Sequence, residues 1–396
     1  MRICHIITRL IIGGAQENTI LSCRGLAELG HDVTLIAGPE TGPEGSLWDQ
    51  TKGAGFETRM AHSMRRSVNP LHDLKAGREL RCILRDLKPD VVHTHSSKAG
   101  ILGRWAAAKA GVPSIVHTIH GMSFNRTQPA IVRAVYRRLE KWAACRTAAF
   151  VSVADAMTDQ AVAAGLAPRE RFTTIRSGME TDRFFPDPAL RAGVRREWGV
   201  REDEIVVGTI ARLFVNKGYE EISAAMPRIC EQNPKVKFVW VGDGAHRTVY
   251  ENQLTKQGLR DRVILLGLVE PDAVGRVLNG FDLLVHASRW EGLPRAVVQA
   301  MLTEVPAVTF DNDGAPEVVW PNETGIVVPL GDVDGLAGGM IRLANDADLR
   351  RANGRRGRER CLSMFDWRTM VHDLDALYRR IAEYTSAKTN APPQAN

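Results

Sequence analysis

Two doubly wound α/β domains, each Rossmann-like, are what this sequence predicts, on three observations. A chain of 396 residues exceeds what one ordinary hydrophobic core serves. Short apolar runs of strand character alternate with helix-period segments twice over, once up to about residue 180 and again from about 205, the pattern of parallel sheets flanked by helices. Between the two series, the stretch 180–204 carries Pro186, Pro188 and a dense charge pattern, which reads as a hinge.

In the first series, strands are expected at 2–8, 32–37, 90–94, 114–119 and 148–153. The loop after the first strand, IIGGAQ, holds the adjacent glycines Gly13 and Gly14 and opens a helix running to Leu29. Glycine lets a backbone approach a phosphate closely. The loop is not G-x-G-x-x-G, and no acid ends the second strand, although Glu40 is near, so a nicotinamide dinucleotide site is disfavoured. Histidines fall at two strand ends, His93 and His95 in VVHTHSSKAG and His117 and His120 in VHTIHGMSF. Alternate strand residues face one way, so H-x-H suits a metal pair, but the spacing supplies no third ligand. Residues 131–146 form a basic amphipathic helix: Ile131, Val135, Leu139 and Trp142 share one face, and Arg133, Arg137 and Lys141 another. Such a helix suits an anionic membrane surface, or packing on its own sheet.

In the second series, strands are expected at 205–211, 236–241, 263–266, 282–287, 307–310 and 325–328. Arg212 and Lys217 follow its first strand, an R-x4-K pair suited to a diphosphate, with a guanidinium fork beside a compact ammonium. Glu291 and Gly292 follow the apolar run DLLVHAS, with Pro294 opening a helix and Gln299 about two helical turns after Glu291. A carboxylate at a strand-to-helix turn lies near free backbone N–H groups, a place to hold a ligand bearing both hydroxyls and phosphates. Asp311 and Asp313 form a D-x-D, read here as turn-forming residues ahead of Gly314, Ala315, Pro316 and Glu317. The last helix is expected over 367–384, and the tail SAKTNAPPQAN reads as disordered.

Composition narrows the class. Hydrophobic residues make up 44% and charged residues 25%, as in soluble globular proteins. No apolar stretch is long enough to span a bilayer, and the N-terminus lacks the apolar core of a signal peptide. The six cysteines are scattered without a C-x-x-C pair, which favours free thiols in a cytoplasmic setting. Residues 1–180 hold 24 Lys and Arg against 16 Asp and Glu, while the rest holds 28 against 30. The basic half suits an anionic lipid surface or a lipid-phosphate acceptor, or is a solubilising excess. The basic run at 350–360 lacks the aromatic platforms of a nucleic-acid site.

Taken in order, the Gly13-Gly14 loop, His120-Gly121 after a strand, Arg212 and Lys217, the turn Glu291-Gly292-Leu293-Pro294 and the loop Gly314 to Glu317 resemble the retaining glycosyltransferases of family 4 (group 1) of GT-B architecture. SSKAGILGR, with Lys98 and Arg104, is similar to members that assemble exopolysaccharide and lipopolysaccharide. The family's E-x7-E signature departs here, with Gln299 in the second place. The resemblance implies two domains facing across a cleft: an acceptor domain at 1–182, to which a helix at 366–385 crosses back, a donor domain at 183–365, and a tail at 386–396. It implies catalytic roles for His120, Arg212, Lys217 and Glu291, and donor contacts from Gly13, Gly14, Val269, Gly292, Leu293 and Gln299 besides Arg212, Lys217 and Glu291. The expected substrates are a UDP-sugar and a glycan or lipid-linked acceptor, with no cofactor and no metal, and a cytoplasmic or inner-face peripheral location. A binding-only protein, or a GT-B phosphorylase or epimerase, would draw on the same residues.

Overall fold

The computed structural model describes residues 1–39, 42 and 45–390, with side chains to 384. It divides into two compact units, Met1–Gly178 with the chain from Trp367 onward, and Met179–Asp366.

The first unit runs β1 (Arg2–Arg9), α1 (Gly14–Glu28), β2 (Asp32–Gly38), β3 (Glu57–Met60), α2 (Pro70–Leu87), β4 (Val91–His95), α3 (Ser97–Ala110), β5 (Ser114–Ile119), α4 (Ala130–Ala144), β6 (Ala149–Ser152), α5 (Asp155–Ala163) and β7 (Phe172–Thr174). Its seven strands lie parallel in the order β3-β2-β1-β4-β5-β6-β7. The second unit runs α6 (Pro188–Glu197), β8 (Ile205–Ile210), α7 (Tyr219–Gln232), β9 (Val236–Val241), α8 (Arg247–Lys256), β10 (Val263–Gly267), α9 (Val274–Asn279), β11 (Leu283–His286), α10 (Arg295–Leu302), β12 (Ala307–Asp311), α11 (Ala315–Val318), β13 (Gly325–Pro329), α12 (Val333–Asn345) and α13 (Ala347–Met364). Its six strands are also parallel, in the order β10-β9-β8-β11-β12-β13. The chain ends in α14 (Trp367–Asn390), which is part of the first unit. In each sheet the strand order reverses once, between β1 and β4 and between β8 and β11. Open parallel sheets bind ligands at the carboxyl ends of such a pair.

Both faces of each sheet are covered, which is why the strands read as apolar runs. In the first unit, Ile3, Leu35, Val91 and Val151 pack beneath α1 and α14, with Trp367, Met370, Leu374 and Tyr378 from the latter. The opposite face, with Cys4, Ile36, Val92 and Ile115, is covered by α2 and α3 through Leu80, Leu84 and Ala106. α1 and α14 approach so closely that a Cβ built on Gly25 would lie 2.4 Å from Val371 Cγ2. In the second unit, Tyr219, Trp240 and Tyr250 form an aromatic trio inside the core. Each fully buried large apolar side chain contributes about 1.5–3 kcal/mol.

Four details differ from the sequence reading. The units divide at 178/179 and 366/367, not at 182/183 and 365/366. The stretch expected as a hinge instead starts α6 within the second unit: the Asp187 side chain accepts from Ala189 N (2.8 Å) and Leu190 N (3.1 Å), and Pro188 takes the first turn. Aspartate before proline is here an N-cap signal. Two short edge strands, β3 and β7, add to the strands expected; their residues are mostly exposed or half-buried and carry no apolar run. Finally, α14 continues through Asn390 in what was expected as a disordered tail. Residues 391–396 of that tail, like Glu40, lie outside the described residues.

Candidate functional site

In the second unit, the loop after β8 carries Arg212 and Lys217, and that after β11 carries Glu291. The structure brings two of these together: Lys217 Nζ donates to Glu291 Oε1 at 2.5 Å. Both side chains keep about a fifth of their surface, 23% and 20%. Ser288 Oγ is 3.5 Å from Lys217 Nζ, and His286 Nε2 lies 3.4 Å from Glu291 Oε1. Burial pushes the Glu291 carboxyl up, but the Lys217 ammonium, and after it His286, more than reverse this and hold it well below the usual carboxylate range. Glu291 is therefore an anion and a hydrogen-bond acceptor at neutral pH.

Backbone bonds fix both loops. The first is tied to the neighbouring turn by Ala211 N to Val241 O (3.1 Å) and Leu213 N to Asp243 O (3.1 Å), and buried Tyr219 donates its hydroxyl to Ala211 O (2.7 Å). Gly218, at φ +84°, passes so close to β11 that a Cβ there would meet Ala287 O at 2.2 Å. Only glycine combines that dihedral with that approach. The second loop is held from the β12 side: Glu291 N–H donates to Asp313 Oδ2 (2.7 Å), and Gly314 N–H to Gly292 O (3.0 Å). Asp313 is thus a turn-former aimed at backbone, while Asp311, at the end of β12, is exposed. Pro294 is the N-cap of α10, and helical positions begin at Arg295. Arg212 is exposed, its guanidinium 5.2 Å from the Phe214 ring centroid. Leu293 and Gly292 are buried, Gln299 is half-buried on α10, and Val269 is half-buried after β10.

In the first unit, Gly13 caps α1 at the end of β1. Its backbone is extended (φ 173°), so this conformation does not by itself require glycine. The histidines are regrouped. His93 and His95 share a face, as their spacing implied, and the β1–β4 register adds His5 opposite His93. His120, just beyond β5, joins them, whereas His117 points to the other face and bonds Thr94 Oγ1 at 2.9 Å. Ring nitrogens link His5 Nδ1 to His95 Nε2 (2.9 Å) and His95 Nδ1 to His120 Nε2 (2.9 Å). His93 is bonded to Thr118 Oγ1 (2.6 Å) and to Tyr378 Oη of α14. Burial pulls His5 down to about 3, and burial with its neighbours holds His93, His95 and His117 well below the usual histidine range. His5, His93 and His95 each offer a ring nitrogen within 4.8 Å of the others, a spacing that a metal ion would also accept. Sequence reasoning missed His5 because only the strand register reveals it. His120 lines a pocket with Ser96, Ser97, Thr118 and Gly121.

Lys98 and Arg104 of SSKAGILGR are engaged within the unit. Lys98 Nζ donates to Asp73 Oδ1 (2.6 Å), and buried Arg104 donates to Glu140 Oε2 (2.5 Å). Glu140 therefore anchors α4 by its inner face. The outer face exposes Ile131 (78%), Val135 (54%), Leu139 (40%) and Trp142 (42%). Packing on its own sheet is thus not where that apolar stripe goes. Among the described residues no helix is long and apolar enough to cross a membrane.

Comparison with known proteins bears on the whole chain. The family described as glycosyl transferases group 1 matches residues 191–360, and the glycosyl transferase 4-like domain matches 13–178. The chain is 30% identical to the UDP-Gal:alpha-D-GlcNAc-diphosphoundecaprenol alpha-1,3-galactosyltransferase of Escherichia coli, across 88% of this chain and 89% of that one. It is 28% identical to the putative glycosyltransferase EpsD of Bacillus subtilis, across 82% and 86%. Among solved structures, HepE of Anabaena in complex with UDP and glucose superposes with a TM-score of 0.81 at 20% identity, covering 95% of this chain and 99% of that one. Sucrose-phosphate synthase of Thermosynechococcus elongatus gives 0.81 at 19% identity, covering 97% and 100%.

Proposed function

We infer that this chain, which belongs to the glycosyl transferases of group 1, moves a hexose from a UDP-sugar to a glycan or lipid-linked acceptor in surface-polysaccharide assembly, with retention at the anomeric carbon and without a metal. The observation that carries this reading is the Lys217–Glu291 pair at the strand-order reversal of the second sheet. It offers a cation to a diphosphate and an ionised acceptor to sugar hydroxyls within one contact. The UDP-sugar and the lipid-linked acceptor follow from the activity for which the Escherichia coli relative is named and from the UDP complexes of HepE.

In this mechanism, cleavage of the glycosyl–phosphate bond leaves charge on the departing diphosphate, which Arg212 and Lys217 stabilise. Glu291 accepts hydrogen bonds from donor-sugar hydroxyls, with Gly292 and Leu293 shaping its turn. Gln299 faces the ribose, and the nucleobase lies along the backbone at Val269. Gly13 and Gly14 border the donor phosphate and acceptor, and His120 orients the reacting sugar. The acceptor hydroxyl attacks the anomeric carbon and its proton passes to a phosphate oxygen of the leaving group, so no protein base is consumed. Positioning supplies much of the rate.

A lipid-linked acceptor places the enzyme at the cytoplasmic face of a membrane. The outward stripe of α4 fits that surface, because Arg133, Arg137, Arg138 and Lys141 accompany it and complement anionic lipid headgroups. Co-sedimentation with phosphatidylglycerol vesicles, lost on Ile131→Asp with Val135→Asp and absent with phosphatidylcholine, supports the contact; equal sedimentation of both proteins removes it.

The test of the activity is incubation with labelled UDP-hexoses and a polyprenyl-diphosphate-linked sugar. The expected result is a labelled lipid whose new linkage keeps the donor's anomeric configuration by NMR, formed equally in EDTA. Binding without turnover, phosphate-dependent release of sugar phosphate, or an epimerised nucleotide sugar would replace this function with a binding protein, a phosphorylase or an epimerase.

A further inference from the structure

We propose that His5 and His95 are positioning residues that fix His120 as the tautomer protonated on Nδ1, so that it meets substrate as a hydrogen-bond donor and not as a base. This rests on the proposed function only for what His120 touches; the chain of rings stands on geometry.

His5, His95 and His120 are joined nitrogen to nitrogen, both links at 2.9 Å. The His5 and His95 rings are nearly parallel, 13° apart with centroids at 5.1 Å. His5 and His95 are essentially without solvent contact, 0% and 1% exposed. Their basicity is depressed first by burial, in His95 also by neighbouring histidines, so each ring carries one proton at neutral pH. Rings with one proton each, linked in series, must all donate in the same direction. There are two such directions, and the buried end decides between them.

That end is His5 Nε2, which is buried and has no hydrogen-bond partner among the described residues. If the chain donated inward, from His120 toward His5, the His5 proton would lie on Nε2 and an N–H would be orphaned in the core. If it donates outward, Nδ1–H of His5 is used on His95, and only a lone pair is left bare. Orphaned buried N–H groups are the rarer and costlier case. Outward donation then runs through to the end: His95 carries its proton on Nδ1, gives it to Nε2 of His120, and His120 keeps its own on Nδ1. A donor there recognises an oxygen lone pair of a sugar hydroxyl. Protonating Nε2 of His120 would set two N–H groups against each other unless the whole chain reversed. A metal bound by His5, His93 and His95 would take one nitrogen of His95, both of which are used in the chain, and so would break at least one of the two links.

The experiment is long-range ¹⁵N–¹H NMR on the full chain labelled at histidine, with His120 assigned by loss of its signals in His120→Gln. The expected spectrum at pH 7 shows His120 as a single neutral tautomer protonated on Nδ1; protonation on Nε2, or a stoichiometric metal in the purified protein, overturns the proposal. Variants at His95 add a kinetic arm. Gln places an amide near the Nε2 position and loses the bond to His120, whereas Asn places one near Nδ1 and restores it. His95→Gln is expected to lower kcat at least tenfold with donor KM within twofold and to mix the His120 tautomers, and His95→Asn to recover most of that rate. Equal losses in both variants, matched by equal loss of melting temperature, would make His95 merely structural. If no transfer is found with any donor, the proposed function fails while the tautomer measurement still decides this inference.

Discussion

At the carboxyl ends of β8 and β11, the second unit holds an ammonium and a carboxylate in contact, each about a fifth exposed. Beside the matching reversal between β1 and β4, the first unit holds imidazoles, three of them (His5, His93 and His95) sealed from solvent, whose protonation is suppressed by burial. Both places are strand-order reversals of a parallel sheet with helices on both faces. The same backbone thus supports a charged site kept ionised by its own partner and a neutral one kept uncharged by its surroundings. The first suits a ligand carrying charge, and the second suits directional hydrogen bonds to neutral oxygens.

The sharpest way to break this contrast is at the charged pair. Lys217→Ala, or Glu291→Gln, is expected to reduce UDP-sugar turnover roughly 100-fold or more, as loss of an aimed charge-stabilising group does. A steady-state assay that finds either variant within fivefold of the parent removes the pair from the site. Next is the backbone that sets the pair. Gly218→Ala combines a left-handed dihedral with a Cβ 2.2 Å from Ala287 O, and is expected to cost about 3 kcal/mol. Urea unfolding that shows no shift in midpoint would mean the loop relaxes around the added methyl.

Acid separates the units by sign. A histidine whose folded pKa is lowered takes up its proton more readily when unfolded, so its stability contribution is full above the ordinary value of 6.5 and shrinks as pH falls toward its folded value. His5, at about 3 in the fold, is expected to destabilise the first unit by about 2 kcal/mol at pH 5 relative to pH 7. Glu291 is depressed below the usual carboxylate range, so the stability it contributes is present throughout this window and is lost only at far lower pH. Hydrogen exchange read by mass spectrometry should therefore show β1 and β4 opening before β8 and β11 between pH 7 and 5; simultaneous opening would contradict the contrast. The smallest effect is expected at α10: Gln299→Glu should tighten donor affinity by less than tenfold, since a charge-assisted bond is about twice as strong as a neutral one. An unchanged affinity places Gln299 away from the ribose.

Much of this was legible before any coordinates. The two alternating series gave both sheets, because buried parallel strands are apolar throughout. Lys217 and Glu291 could be picked out as candidate site residues from their places after two strands, though their 2.5 Å contact could not. What escaped depends on long-range register or on partner choice. His5 becomes part of a site only because β1 pairs with β4 in the register that sets it beside His93. Asp313 reads as a loop residue until its carboxylate is seen holding Glu291 N. Which face of α4 turns inward hangs on Glu140 finding Arg104, so the helical period alone could not choose between core and surface. β3 and β7 show that an edge strand need not be apolar, because one side has no neighbour.

In the proposed function the charged pair recognises the diphosphate and the imidazole chain does not, and isothermal titration of UDP measures this directly. Lys217→Ala should weaken UDP binding at least tenfold, and His120→Ala should leave it within twofold of the parent. UDP affinity unchanged by Lys217→Ala, or lost equally in His120→Ala, would contradict the division of labour between the two units.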